Sequence, residues 1–297
     1  MPEPVEVENE AAEWVHRGID PTPEPNSEYA EHDRYFQVRR VRRQPVETFL
    51  RGLVRAYSLV RQNADQMGVT NLDATQWRNL FAGLHGILGY ARVPLAGGVP
   101  PMPTRPVDEY LPHHRWLVGH QLFFAVVQGA IVGLNCFVHA AERGDEPDAR
   151  AAVGVASDFM RSSAAAIRFT ADFGPVDYDK LVRPAMAPPA VRAGFSGLQT
   201  RDHAFLVGLF TELRTLLARP GPGRAGADFE EFVDATIEAY DAHQFICARF
   251  GGDVLPSLRM AANSQGRTTQ SGADALRQIM RARLFTLTGV NGRGATA

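Results

Sequence analysis

The sequence predicts an all-α protein, a helical bundle whose connecting loops are long. Three observations carry that expectation. No run alternates apolar and polar residues with period two, so no half-buried strand is signalled. Apolar residues recur instead at helical spacing, as in Val46, Phe49, Leu50, Leu53, Val54, Tyr57 and Val60. The stretch Trp116 to Ala141, 26 residues, has no charged side chain, which suits a helix buried on nearly all sides at the centre of a bundle.

Residues 1–45 read as an acidic, partly flexible arm. Met1 to Asp33 holds ten acidic residues against Arg17, with Pro21, Pro23 and Pro25. Charge then reverses: Arg34 to Arg61 has eight arginines and the single acid Glu47. Those arginines are expected on the wet face of the first long helix or at a subunit contact, and no aromatic interleaving supports nucleic-acid stacking. Asp73 can cap a second helix, running to about Arg92 and carrying His85. A Gly/Pro-rich loop, Pro94 to Pro112, leads into the long apolar helix. An alanine-rich helix is expected from Asp148 to about Phe173, after which Pro184, Pro188 and Pro189 break the chain. Helical spacing resumes over Gln199 to Arg219, and Pro220 to Gly226 read as a linker. The last helices are expected from the capping Asp228 to about Phe250 and from Ser271 to Thr286. A single catalytic domain is therefore expected over 46–290, with a flexible tail at 291–297. Loops this long in a compact domain are often functional.

Composition excludes several functions. With 31 basic and 33 acidic residues the formal charge is −2, so no global field draws in nucleic acid. Lys180 is the sole lysine, so Schiff-base chemistry has one place to go, and a phosphate loop ending in Gly-Lys-Ser/Thr is absent. Dinucleotide fingerprints and internal repeats are also missing. Cys136 and Cys247 are too few for a disulfide framework or a four-cysteine metal site. The acidic, proline-rich start holds no apolar leader, so a cytoplasmic protein is expected. The uncharged run is long enough to cross a bilayer, yet His120, Gln121, Gln128, Asn135 and His139 would be costly against lipid, and no second span appears. No membrane association is expected.

Nine histidines are the remaining chemical resource. Zinc-helix signatures, Glu-x-x-His pairs and a Gly-x-Ser-x-Gly elbow are all missing. Most of the histidines read as core residues on apolar helices. Two stand out: His120, followed by Phe123 and Phe124 on the most apolar helix, and His243, four residues before Cys247. The i, i+4 spacing puts His243 and Cys247 on one helix face. A lone helical histidine facing an apolar pocket commonly holds a haem iron. From these residues alone, a haem ligand and a satisfied core histidine both stay open.

The order of the motifs resembles the haem-dependent tryptophan 2,3-dioxygenase superfamily. Val118-Gly-His120-Gln121 stands where that family has Val-His-Gln on its distal helix. Leu181-Val-Arg183 and Gly194-Phe-Ser-Gly-Leu-Gln-Thr-Arg201 stand for its Tyr/Phe-x-x-Phe-Arg and Gly-Phe-Gln-Ser-x-Gln-Tyr/Phe-Arg segments. His243 and then Gly266-Arg-Thr-Thr-Gln-Ser-Gly272 follow in the order of its proximal histidine and Gly-Thr-Gly-Gly-Ser-Ser-Gly loop. The likeness spans about His113 to Leu287. It departs after His120, where phenylalanines replace Glu-Leu-Trp, and in a longer spacing from His243 to the threonines. His203, His243 and Cys247 also form a His-x(n)-His-x-x-x-Cys arrangement. That arrangement resembles the bacterial histidine-ligated haem hydroxylases of antibiotic biosynthesis, which act on L-tyrosine or 3-methyl-L-tyrosine.

The resemblance implies a bundle of the tryptophan 2,3-dioxygenase type holding haem b, with His243 as axial iron ligand and Cys247 able to form a thioether to a vinyl group. It implies His120 and His203 as catalytic residues, His120 as the distal acid–base group. Arg183, Thr268, Thr269 and Phe124 are implied as substrate contacts, Arg183 gripping the amino-acid carboxylate. The implied reaction is hydroxylation of L-tyrosine at ring position 3 to L-DOPA by hydrogen peroxide, or by dioxygen plus a reductant. Hydroxylation of 3-methyl-L-tyrosine and dioxygenation of tryptophan or another indole are the alternatives, and a non-catalytic haem carrier or scaffold is the alternative of another class. The relatives' habit implies a homo-oligomer, dimer or tetramer, whose arms reach neighbouring subunits.

Overall fold

Prolines and side-chain caps open most of the helices, and glycines close or turn several of them. The computed structural model describes residues 27–41, 44–68, 70–93, 98–104, 110–195, 200–218, 226–251 and 272–288. Its main helices are α1 (Glu28–Tyr35), α2 (Pro45–Met67), α3 (Ala74–Tyr90), α4 (Pro112–Glu142), α5 (Glu146–Thr170), α6 (Arg201–Leu217), α7 (Gly226–Gly251) and α8 (Gly272–Thr288). No strand occurs among the described residues, as the sequence predicts. Asp73 caps α3 reciprocally: its carboxylate accepts from the Thr75 and Gln76 N–H groups, while Gln76 accepts from the Asp73 N–H at 3.1 Å. Gly68, at φ +71°, ends α2 in the left-handed conformation that lacks a Cβ penalty.

The centre is a hairpin of α4 and α5. Gly144, at φ +72°, makes the short turn between them, and Asp145 accepts from the Asp148 N–H to start α5. Helix α5 also packs on α3 and α7, while α2 and α6 cover α4, and α8 lies on α6 and α7. Side chains had to be omitted for these approaches: a Cβ at Gly83 of α3 or Gly129 of α4 would collide with the Phe159 ring of α5. Helix α4 is long and apolar enough to cross a membrane, but 67 % of its most apolar stretch is buried within the protein. At its foot Arg115, 1 % exposed, donates through Nη1 to Asp172 Oδ2 at 2.8 Å and through Nε to Asn63 Oδ1 at 2.9 Å. Asp172 also accepts from the Asn71 backbone at 3.0 Å, so one buried pair joins α2, α4 and the end of α5.

Two differences from expectation concern the arm. Part of it, Glu28–Tyr35, is a helix whose successor Phe36 is 0 % exposed, and His32 is buried beside it. Its eight-residue sequence is too short and too polar to show helical spacing. Arg40, expected on a wet face, is instead clamped between two carboxylates: Nε donates to Asp33 at 2.6 Å, and Nη1 and Nη2 to Asp202 at 2.9 Å. Burial of Asp202, at the start of α6, draws the cation inward. The proline-broken segment after α5 also keeps helical form, as a π turn (Tyr178–Val182) and a 3-10 turn (Pro184–Met186) that position Arg183 between them.

Candidate active site

Helix α4 carries Trp116, His120 and Phe124 at one-turn intervals along one face. His120 Nδ1 lies 2.8 Å from the Trp116 carbonyl, which can only accept. The proton therefore sits on Nδ1, and Nε2 keeps a bare lone pair. The imidazole stacks on Phe36 at 4.5 Å and leans on Trp116 at 4.3 Å, with Phe124 edge-on at 6.2 Å. Burial among these rings is the main reason its pKa falls to about 3, and the charges of His243 and His32 push the same way. His120 is a neutral base at any ordinary pH.

Helix α7 answers with a second stripe, Tyr240, His243, Cys247 and Phe250. Burial, then the nearby Arg283 cation, lowers the His243 pKa to about 4. Among the described residues no hydrogen bond reaches either of its ring nitrogens. One turn on, burial pushes the Cys247 thiol up to about 11, so it stays protonated. Phe250 stacks flat on Tyr178 at 4.2 Å. His243 acts electrostatically on His120, and Cys247 on Tyr178. The stripe of α7 thus faces the stripe of α4 and the π turn.

Arg183 stands at the end of that turn, its N–H donating to the Tyr178 carbonyl at 2.8 Å. Its charge reaches the Tyr178 phenol. No hydrogen bond or ion pair reaches its half-buried guanidinium among the described residues. Across from it, the buried Tyr35 hydroxyl and Trp116 indole N–H both lack a hydrogen-bond partner. They are close enough to influence each other but fall outside hydrogen-bond geometry. Tyr35, Trp116 and Tyr178 are absent from the sequence-based set, because an aromatic on a buried face carries no signal separating a site wall from a core.

The structure therefore gathers His120, Phe124, Arg183, His243 and Cys247 around one region. His203 lies near the start of α6, where its Nε2 accepts from Arg283 Nη1 of α8 at 2.8 Å. Thr268 and Thr269 lie outside the described residues. A separate cavity of about 540 Å³ opens between α2 and α4, lined by Arg39, Arg55, Gln121 and Gln128 among others. None of the gathered residues lines it, so this cavity is distinct from the gathered site.

These residues fit an iron porphyrin better than a bare ion. Among the described residues no group of three or more His, Cys, Asp or Glu could hold a metal alone. A porphyrin supplies four nitrogens itself and asks of the protein one neutral imidazole with an unpartnered nitrogen, which His243 offers. Aromatic walls and a protonated thiol one turn away suit its apolar faces and edge.

Comparison with known proteins agrees with this chemistry. The family described as SfmD 3-methyl-L-tyrosine peroxygenase matches residues 5–227, a span that ends before His243. A 3-methyl-L-tyrosine peroxygenase of Streptomyces lavendulae is 28% identical over 270 residues, covering 86% of this chain and 70% of that protein. The crystal structure of reduced SfmD, soaked with sodium hydrosulfite, superposes with a TM-score of 0.58 at 23% identity. It covers 80% of this chain and 88% of that one, and the shared feature is the all-α fold.

Proposed function

The chain belongs to the SfmD 3-methyl-L-tyrosine peroxygenase family, and from that premise we propose that it hydroxylates the ring of a free tyrosine with hydrogen peroxide, in a secondary-metabolite pathway. The family and the Streptomyces relative favour 3-methyl-L-tyrosine as substrate, with L-tyrosine, giving L-DOPA, as the second reading. The observation that carries the proposal is the facing pair of neutral histidines: among the described residues no hydrogen bond reaches His120 Nε2 or either ring nitrogen of His243.

Bound haem supplies the oxidising chemistry. His243 would hold it through a ring nitrogen. Cys247, one turn away, would hold its protonated thiol against a vinyl group, where addition of S–H across the double bond would give a thioether without any oxidant. His120 Nε2 takes a proton from peroxide or from the substrate phenol and returns it. Arg183 grips the substrate carboxylate with a guanidinium that no carboxylate of the described residues occupies, Thr268 and Thr269 add hydroxyl contacts, and Phe124 with Phe36 walls the ring. With its Nε2 accepting from Arg283, His203 offers no lone pair there, and its part is to hold Arg283 beside His243. The resemblance that suggests these roles also supports a homo-oligomer.

The visible spectrum and the product masses test the reading. A Soret band on adding haemin, and a gain of one oxygen atom by 3-methyl-L-tyrosine or L-tyrosine with peroxide, are expected. A protein that stays colourless with haemin refutes the haem assignment. A gain of two oxygens by tryptophan makes it a dioxygenase instead. The two tyrosines differ by one methyl, worth only ~1–3 kcal/mol in discrimination, so both are compared side by side.

A further inference from the structure

Arg283 is a cation with one edge occupied and the other open. A guanidinium has five N–H donors. The two on Nη1 are engaged, one by His203 Nε2 and one by Tyr240 Oη, each at 2.8 Å. Among the described residues no hydrogen bond reaches Nε or Nη2, whose N–H bonds run parallel along the opposite edge. That edge is the side-on fork that matches a carboxylate bidentately.

Charge points the same way. His203 accepts at Nε2 and Tyr240 is a buried phenol whose pKa is raised by that burial, so both partners are neutral. No carboxylate pairs with Arg283 among the described residues, whereas Arg277, two turns earlier on α8, has Asp274 at 2.5 Å. A partly buried cation held by neutral groups is incomplete without an anion.

We propose that the Nε–Nη2 edge of Arg283 is a carboxylate site. The proposal rests on the haem-dependent reading above, in which two kinds of carboxylate are present: the porphyrin propionates and the amino-acid carboxylate of the substrate. Among the described residues neither Arg183 nor Arg283 is paired with a carboxylate. Arg183 stands beside Tyr178, on the side of the π turn, and Arg283 stands beside His243. The pairing that follows is Arg183 with the substrate and Arg283 with a propionate.

The test uses the full chain carrying Cys247→Ser, so that porphyrin binding is reversible, prepared free of haem. Haemin and haemin dimethyl ester are titrated against it by the Soret band. The parent should bind haemin at least tenfold more tightly than the ester. Arg283→Gln keeps an NH2 group for His203 and Tyr240 while removing the charge, and it should bind the two equally. Circular dichroism and the melting curve confirm that the variant is folded, and Arg283→Met provides a second neutral side chain. A parallel calorimetric arm compares L-tyrosine with tyramine, which lacks the carboxylate. If Arg283→Gln equalises those two instead, the site stands and its guest is the substrate. Unchanged preferences in both arms overturn the proposal. Should neither porphyrin bind the parent, the haem reading falls, and the tyrosine–tyramine arm still decides whether Arg283 receives a carboxylate.

Discussion

His120 and His243 respond to pH in the same direction. Their folded pKa values, about 3 and about 4, lie below the ordinary 6.5. Between those limits the unfolded chain binds protons that the folded chain refuses, so stability is fully present above pH ~6.5 and is lost as pH falls toward the folded values. The haem-free protein should therefore melt progressively earlier between pH 6.5 and 4, and His120→Leu should make that decline shallower. A decline identical in parent and variant would mean that His120 titrates normally. The Arg115–Asp172 pair belongs to the same scale. Both side chains are at most 2 % exposed, so Arg115→Met strands a buried carboxylate and should cost ~3–5 kcal/mol in urea unfolding. Asp172→Asn added to it should recover part of that loss.

At the scale of elements, contact between α3, α4 and α5 depends on hydrogen atoms where side chains would stand. Gly83→Ala and Gly129→Ala each push a methyl group into the Phe159 ring. Alanine favours a helix by up to ~1 kcal/mol over glycine, but overpacking a tight core costs ~1–3 kcal/mol, so both should lower the melting temperature. Gly154→Ala on α5 is the control, since nothing lies within 4 Å of its Cβ; it should be neutral or mildly stabilising. The stripe on α7 also acts as an element, because one helical turn separates His243 from the Cys247 thiol. If Cys247 forms the proposed thioether, acid–acetone should extract haem from the Cys247→Ser protein and leave it on the parent.

At the scale of the molecule, the segment before α2 is bound to the rest by charge. Arg40 joins Asp33 to Asp202, and Glu31 accepts from Arg192 Nε at 2.5 Å and from its N–H at 2.9 Å. This clasp seats Phe36 against His120. Arg40→Ala leaves the Asp202 carboxylate, 0 % exposed, with Gln128 at 3.3 Å as its remaining side-chain partner among the described residues. Faster proteolytic cutting between α1 and α2 is expected, together with weaker substrate binding, because one wall of the site is released. Cutting at the parental rate would show that packing of Phe36 alone holds the segment.

The sequence by itself determined the helices and the donors. Helical spacing, capping residues and prolines mark boundaries locally, so α2 through α8 were legible to within a few residues. His243 and Cys247 share a face by the pitch of the helix, and composition had already removed phosphate-loop and lysine chemistry. What the tertiary structure decided is what depends on residues far apart in the chain. Helix α1 was hidden because its eight residues are ordered by contacts with Phe195 and α4 rather than by their own pattern. Burial turned Arg40 and Arg115 from two arginines among thirty into structural cations. The neutrality of His120 and His243, and the guanidinium edges of Arg183 and Arg283 that no described residue occupies, arise from desolvation and from who stands opposite. A linear pattern encodes which groups a helix presents; only the packed chain sets the dielectric and the partners that decide what those groups can do.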